Sequence, residues 1–390
     1  MQNSLHVFSI FLITLFITLF TVSFTPTNLS ACSTAQDGIY DNCTNSVWDG
    51  GNKTFTRNSL IVRNNSATTF NSRVSAPTLN INVFNKSSLD FRIAGNNGTS
   101  NLNFTVGDNT SAITYRGGTS GVVRATLNDC TDVNCFRTNS DITSVDMNSG
   151  GWFTVGIGNT AANVIVNTIE GNGAINLVDG SSLIINSYMY DDSDDSKAIN
   201  FIRGNGSYLT VNSGIFINEL SINGASFNGF AKLLNINNSG STGNIIFNGE
   251  SDIASINNSD NLIFNNNSTI GEINNSGTIT AQNGETTTIN INNLNSLSRL
   301  SISNSNVNVE NLGYLGEANL NDNSTLYILG SSDGNINSVH GRGTLQIDGS
   351  STKFHINNIN LANLVFNEGE LVLEKDFIGE YHVINNITRS

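Results

Sequence analysis

The sequence predicts an all-β protein: a right-handed parallel β-helix behind an N-terminal signal peptide. Three observations predict it. A unit of about twenty residues recurs through the second half, the spacing of a stacked repeat. Short strands of period two, rich in Ile, Val, Thr and Phe, fill each unit. Proline is almost absent, with only Pro26 and Pro77 in 390 residues, as expected of strands paired on both edges, where every N–H is needed.

The N-terminus reads as an export signal. Val7 to Phe24 is a nearly unbroken apolar run, followed by a small-residue zone from Leu29 to Ala35. That is the layout of a secretory signal, although Met1 to His6 carries no Lys or Arg. Residues 1–31 are therefore assigned as signal peptide. The run is also long enough to span a bilayer, so an uncleaved anchor stays open. Leu29-Ser30-Ala31-Cys32 further resembles a lipobox, which leaves lipidation at Cys32 open.

Four cysteines follow the apolar run: Cys32, Cys43, Cys130 and Cys135. In an exported chain, close cysteines point to a bridge, and Cys130–Cys135 is the predicted disulfide. A Cys32–Cys43 bridge would require cleavage before Cys32 without lipidation. Residues 32–75 are read as an N-terminal cap, with Trp48 placed to cover the first coil and hide an open strand edge. Residues 76–390 are read as the β-helix itself.

The repeat is clearest from Ile236 on. An apolar residue, usually two Asn, a turn and an alternating strand recur at Ile236, Ile256, Ile273, Ile291, Val309, Ile336 and Ile356. The intervals run from 17 to 20 residues, with one of 27 that contains the extra apolar stretch Leu326 to Leu329. In the first half the strands are Leu79/Ile81/Val83, Leu89/Phe91/Ile93 and Leu102/Phe104/Val106. No single unit can bury its apolar face, whereas stacked units can. About fifteen coils, each rising about 4.8 Å, would make a rod of about 70 Å. Asn237, Asn257, Asn274, Asn292 and Asn357 fall at one phase and are the predicted amide ladder, each side chain bonding to the next along the axis. Asn and the corner glycines Gly240, Gly277, Gly313 and Gly341 also suit left-handed backbone. An antiparallel sandwich would not need Asn-Asn at one phase, and a disordered Asn-rich chain would not keep Ile, Leu and Phe in alternation.

The chain resembles bacterial autotransporter passengers, and more narrowly the vacuolating-cytotoxin-like autotransporters of epsilon-proteobacteria. The likeness is carried by Cys43-Thr44-Asn45-Ser46-Val47-Trp48-Asp49-Gly50-Gly51, by Asn-Asn-Ser-Gly-Thr-Ile at 274–279 and by Phe377-Ile378-Gly379-Glu380-Tyr381-His382-Val383-Ile384. It implies a secreted or surface-exposed passenger that meets host or bacterial cell-surface glycans or proteins. Outer-membrane association would come through a translocator barrel, which this sequence lacks, or through lipidation at Cys32. Toxin members of that family carry an apolar Gly-repeat segment at the mature N-terminus. The residues after Cys32 are polar, so membrane insertion gains no support.

Composition and motifs bound the chemistry. The net charge is -14, and only 12% of residues are charged. No Lys/Arg cluster exists to meet phosphates, so nucleic acid is excluded as a partner. Gly118-Thr119-Ser120-Gly121 faintly matches a subtilisin-type serine motif, but the only histidine before it is His6, inside the signal. His340, His355 and His382 sit on separate coils without ligand spacing, so no metal site is expected. Asp191-Asp192-Ser193-Asp194-Asp195 reads as a solvated loop, lacking the Gly and distal Glu of a calcium loop. Glu250, Glu272, Glu285, Glu310 and Glu317 fall at scattered phases, unlike the converging acids of a carbohydrate-cleaving β-helix. The expectation is a non-catalytic protein without cofactor, acting in adhesion. The alternatives kept open are a carbohydrate-active β-helix, a fragment of a vacuolating-cytotoxin-like toxin and a structural spacer.

Overall fold

The computed structural model describes residues 39–41, 46–53, 59–74, 78–93, 101–108, 111–116, 123–128, 133–147, 151–189, 198–237, 243–258, 261–274, 277–282, 287–330, 333–348, 353–367, 370–374, 378–383 and 387–389. The signal segment 1–31, Cys32, Cys43, Cys130, the acidic run 191–195 and the side chain of Trp48 lie outside the described residues.

The described chain is all-β, with 31 strands and no helix among the described residues. The strands pair in parallel, each with the coil before and the coil after, as a β-solenoid of about 13 turns. Thr78–Val83, for example, pairs back to Ser59–Arg63 and forward to Asn101–Val106. Thr287–Ile302 and Ser305–Leu320, 16 residues each, run around a corner and stay in register from Thr287↔Ser305 to Ile302↔Leu320. At about 4.8 Å per coil the stack is about 60 Å long.

Two expectations shift. Thirteen turns replace fifteen because the early coils are long: bonded side chains in adjacent coils are 27 residues apart at Arg203–Asn176 but 17 at Asn265–Asn248. The stack also starts before residue 76. Ile39–Asp41 already pairs in parallel with Ser59–Arg63, and Ser46–Lys53 with Ala67–Val74. The segment read as a cap thus supplies coils of the solenoid.

Alternation turns one set of side chains inward. Leu79, Ile81 and Val83 have no exposure, while Asn80 and Asn82 between them face out. Each such apolar side chain contributes about 1.5–3 kcal/mol by leaving water. Like residues stack coil upon coil: Phe70 on Phe91 with ring centroids 4.8 Å apart, and Phe247 between Phe227 and Phe264. Where the chain turns into the core, buried serines replace apolar residues. Ser87 Oγ accepts from Ser66 N–H at 3.1 Å, Ser111 Oγ accepts from Ser87 N–H at 3.2 Å, and Ser251 and Ser268 share a hydroxyl bond of 2.8 Å. Ser87 and Ser111 thereby satisfy backbone donors that a corner removes from the strand pairing.

Corners use left-handed backbone at Asn64, Asn65, Asn85, Asn304 and Asn323, all with φ between 49° and 59°. Of the four glycines assigned to corners, Gly240 lies outside the described residues and Gly341 has a positive φ of 127°. Gly313 serves a different need: a Cβ there would lie 2.7 Å from the carbonyl oxygen of Asn295 on the coil below.

Candidate functional site

Outward side chains are the only ones free to meet a partner, so any binding function resides on the outer faces. Amide ladders dominate them. The longest among the described residues runs Asn167, Asn186, Asn212, Asn228, Asn248, Asn265, with each Nδ2 donating to the preceding Oδ1 at 2.8–2.9 Å. Each of these residues directly follows a buried apolar one, as Asn212 follows Val211 and Asn248 follows Phe247. That signal is present in the sequence but overshadowed by the Asn-Asn pairs.

The predicted ladder residues are partly joined. Asn274 donates to Asn257 at 2.8 Å. Below Asn257 the acceptor is Asn235, at 2.7 Å, rather than Asn237. A bulge between Ile236 and Asn237 pairs Asn237 with Asn258 and carries it out of the column. Above Asn274 the donor is Asn295, at 2.6 Å, rather than Asn292. Ile273 pairs with Leu294, not with Ile291, because the strand Thr287–Ile302 begins earlier in its coil. Asn357 donates to Asn337 at 3.2 Å, a separate rung.

The long ladder stops at Asn265, whose Oδ1 has no partner among the described residues. The next coil places Gln282 there, its N–H donating to Phe264. Shortening Gln282 to Asn should add a rung and stabilise the chain by about 1 kcal/mol, whereas Asn248→Ala removes two rungs and should cost about 1–2 kcal/mol. Urea unfolding checks both; equal midpoints for the two variants would show that the ladder carries no stability.

One outer face departs from this amide-rich surface. Paired positions on successive strands place Asp90, Thr114, Arg137, Thr154, Asn176 and Arg203 in a single column. At its N-terminal end one ion pair and one hydrogen bond to a hydroxyl tie up the charged groups. Arg116 bonds Asp90 at 2.9 Å and Arg137 bonds Thr114 at 3.0 Å, beside a cavity of about 290 Å³.

At its C-terminal end the column opens into a larger cavity of about 630 Å³. Trp152, Ala174 and Phe201 occupy the adjacent column, one per coil. Because Ala174 carries only a methyl group, the rings of Trp152 and Phe201 lean over it, and their centroids come within 6.5 Å. The Arg203 guanidinium lies 4.7 Å from the Trp152 ring centroid and 5.7 Å from that of Phe201. Its Nε donates to Asn176 Oδ1 at 3.0 Å. Stacking and this bond fix the guanidinium plane, leaving its terminal nitrogens without a bonded partner among the described residues.

Turns of three successive coils supply the rest of the lining. Each turn needs glycine: Gly158, Gly180 and Gly206 have φ of 60°, 77° and 62°. The three turns expose Asn159, Asp179 and Asn205, one polar side chain per coil. At Gly206 a Cβ would lie 2.1 Å from Asp179 Oδ1, so glycine leaves room for that carboxylate.

Of the other candidates, His340 and Glu317 meet as a pair, and no larger cluster forms among the described residues. His340 lies 3.4 Å from Glu317, which also meets Arg299 at 3.4 Å, while His355 pairs with Asn335 in register. Glu272 faces Ser255 and Asn293 on its neighbouring coils. Among the described residues no group of three His, Cys, Asp or Glu is arranged to hold a metal. Cys135 is buried and disulfide-bonded; its predicted partner Cys130 is outside the described residues.

Compared with known proteins, the chain matches no family profile, no curated protein and no solved structure. Function must therefore be read from the outer faces themselves.

Proposed function

We propose that this chain is an exported, non-catalytic β-helical protein of the autotransporter-passenger kind, displayed outside the cell to contact host or bacterial surfaces. One observation carries the reading: a parallel β-solenoid whose outside is dressed in neutral amides and hydroxyls, with charges scarce. Such a rod presents a long, wet, hydrogen-bonding surface, the composition of interfaces that bind through polar contacts and bridging water. The disulfide at Cys135 adds support, because such bonds persist in oxidising compartments. The family likeness in the sequence adds the address, at the outer membrane or beyond it.

Fluorescently labelled, folded chain should bind cultured epithelial cells or intact bacteria saturably, with competition by unlabelled chain. A chain that circular dichroism shows to be folded, yet that binds neither, would remove the adhesive role. Export is checked separately: in the native host, the protein should be cleaved by protease added to intact cells, and a purely cytoplasmic pool would refute it. A non-reducing peptide map should join Cys135 to Cys130; a link to Cys43 or Cys32 would replace that pairing.

A further inference from the structure

We infer that the cavity lined by Phe201, Arg203 and the three stacked turns is a binding site for a neutral oligosaccharide. The inference deepens the surface-contact reading, on which it rests, by naming one site and one ligand class.

The chemistry of the walls selects the ligand. Phe201 offers an aromatic ring, whose negative face attracts the polarised C–H groups on the flat side of a sugar. Beside it Arg203 lines the cavity, held in place by the Trp152 ring and by Asn176, with terminal N–H groups that no described residue bonds. The lining also includes Asn159, Asp179 and Asn205, none of whose side-chain polar atoms has a hydrogen-bond partner among the described residues. Amides both donate and accept, a carboxylate accepts, and a guanidinium donates. That mixture matches vicinal hydroxyls, which do both. The lining is mostly polar, with Phe201 its one aromatic ring, which suits a hydroxyl-rich ligand, and about 630 Å³ accommodates one or two sugar rings.

Charge decides between neutral and acidic sugars. Within the cavity the carboxylate of Asp179 offsets the guanidinium of Arg203, and the chain as a whole carries -14. A polyanion would meet repulsion on approach. The coil spacing supplies a further match. The polar residues of the wall come from successive turns about 4.8 Å apart, close to the length of one sugar unit, so an oligosaccharide running along the rod would meet an equivalent polar group at each residue.

The test uses the full chain with Trp48→Phe, which leaves Trp152 as its sole tryptophan, since the sequence holds two. Arg203 rests on the Trp152 ring, so a ligand that engages the guanidinium should shift Trp152 emission. Neutral hexaoses of glucose, mannose and galactose in several linkages are titrated alongside oligogalacturonate. At least one neutral oligosaccharide should give a saturable shift. Phe201→Ala and Arg203→Lys should each weaken it about tenfold or more, the loss expected for a stacking partner or a charged hydrogen bond. Circular dichroism and thermal unfolding identify any variant that has lost its fold, and Asp179→Asn, on an exposed turn, serves as a second variant expected to weaken binding. The inference is overturned if no neutral sugar moves Trp152 emission, if binding survives all three substitutions, or if only the uronate binds with affinity that collapses in salt. Cell binding that free sugar does not compete also overturns it while leaving the adhesive reading intact; sugar binding by a chain that adheres to no cell does the reverse.

Discussion

Phe247→Ala should destabilise the protein by about 3–5 kcal/mol, the cost of emptying a large, fully buried aromatic site. Phe247 has no exposure and lies between two like rings. Its centroid is 5.2 Å from Phe227 and 4.9 Å from Phe264, with interplanar angles of 12° and 8°. Removing it strips both neighbours of a partner at once. The coils above and below are held by strand pairing at Phe227↔Phe247 and Phe247↔Phe264, so they have little freedom to collapse into the void. A solenoid couples mainly nearest neighbours, so the damage should stay local. Hydrogen exchange should accelerate in Asn244–Phe247 and Asn261–Phe264 long before it does in distant coils. Phe247→Leu should recover more than half of the loss. An Ala variant that costs under about 1 kcal/mol in urea unfolding would contradict the packed aromatic column.

Gly341→Ala is the second large effect, and it separates two penalties. Gly341 has a φ of 127°, and an added Cβ would lie 2.0 Å from the carbonyl oxygen of Leu320 and 2.7 Å from its carbonyl carbon. Those are backbone atoms of a paired strand, held at Leu320↔Gly341 and unable to rotate away. Conformational strain and collision add, for an expected loss of about 3 kcal/mol or more. Gly158 isolates the first penalty: its φ is 60°, and a Cβ added there would meet nothing within 4 Å. Gly158→Ala should therefore cost only about 1–2 kcal/mol, the penalty of left-handed backbone alone. Thermal and urea unfolding of both variants, compared with wild type, would test this; equal losses would mean that the contact with Leu320 relaxes freely.

Much of the architecture is legible in the residues. Leu79, Ile81 and Val83 alternate with Asn in the sequence and with exposed positions in space, because side chains of a strand point to opposite faces whatever the tertiary setting. The recurrence of Ile-Asn-Asn announces the stack. It does not announce the phase of every coil. Asn237 and Asn292 occupy the same motif position as Asn257, yet a bulge at Ile236 and an early strand start at Thr287 remove them from that ladder. A motif records local composition, whereas a rung depends on which coil positions lie opposite one another. The buried serines escape a sequence reading for a related reason: Ser66, Ser87 and Ser111 look like ordinary turn residues until the corner turns them inward toward unpaired N–H groups.

The sequence by itself determined that this is a β-solenoid, because alternation and repeat length act through local geometry and through contacts between adjacent coils that every unit repeats. The tertiary structure alone decided where the surface becomes a site. Trp152, Asn176, Phe201 and Arg203 carry no shared motif and are separated by whole coils, and only parallel pairing sets them side by side. Ala174 is unremarkable in the chain, yet its small side chain between Trp152 and Phe201 lets their rings approach to 6.5 Å and hold Arg203 over an open cavity.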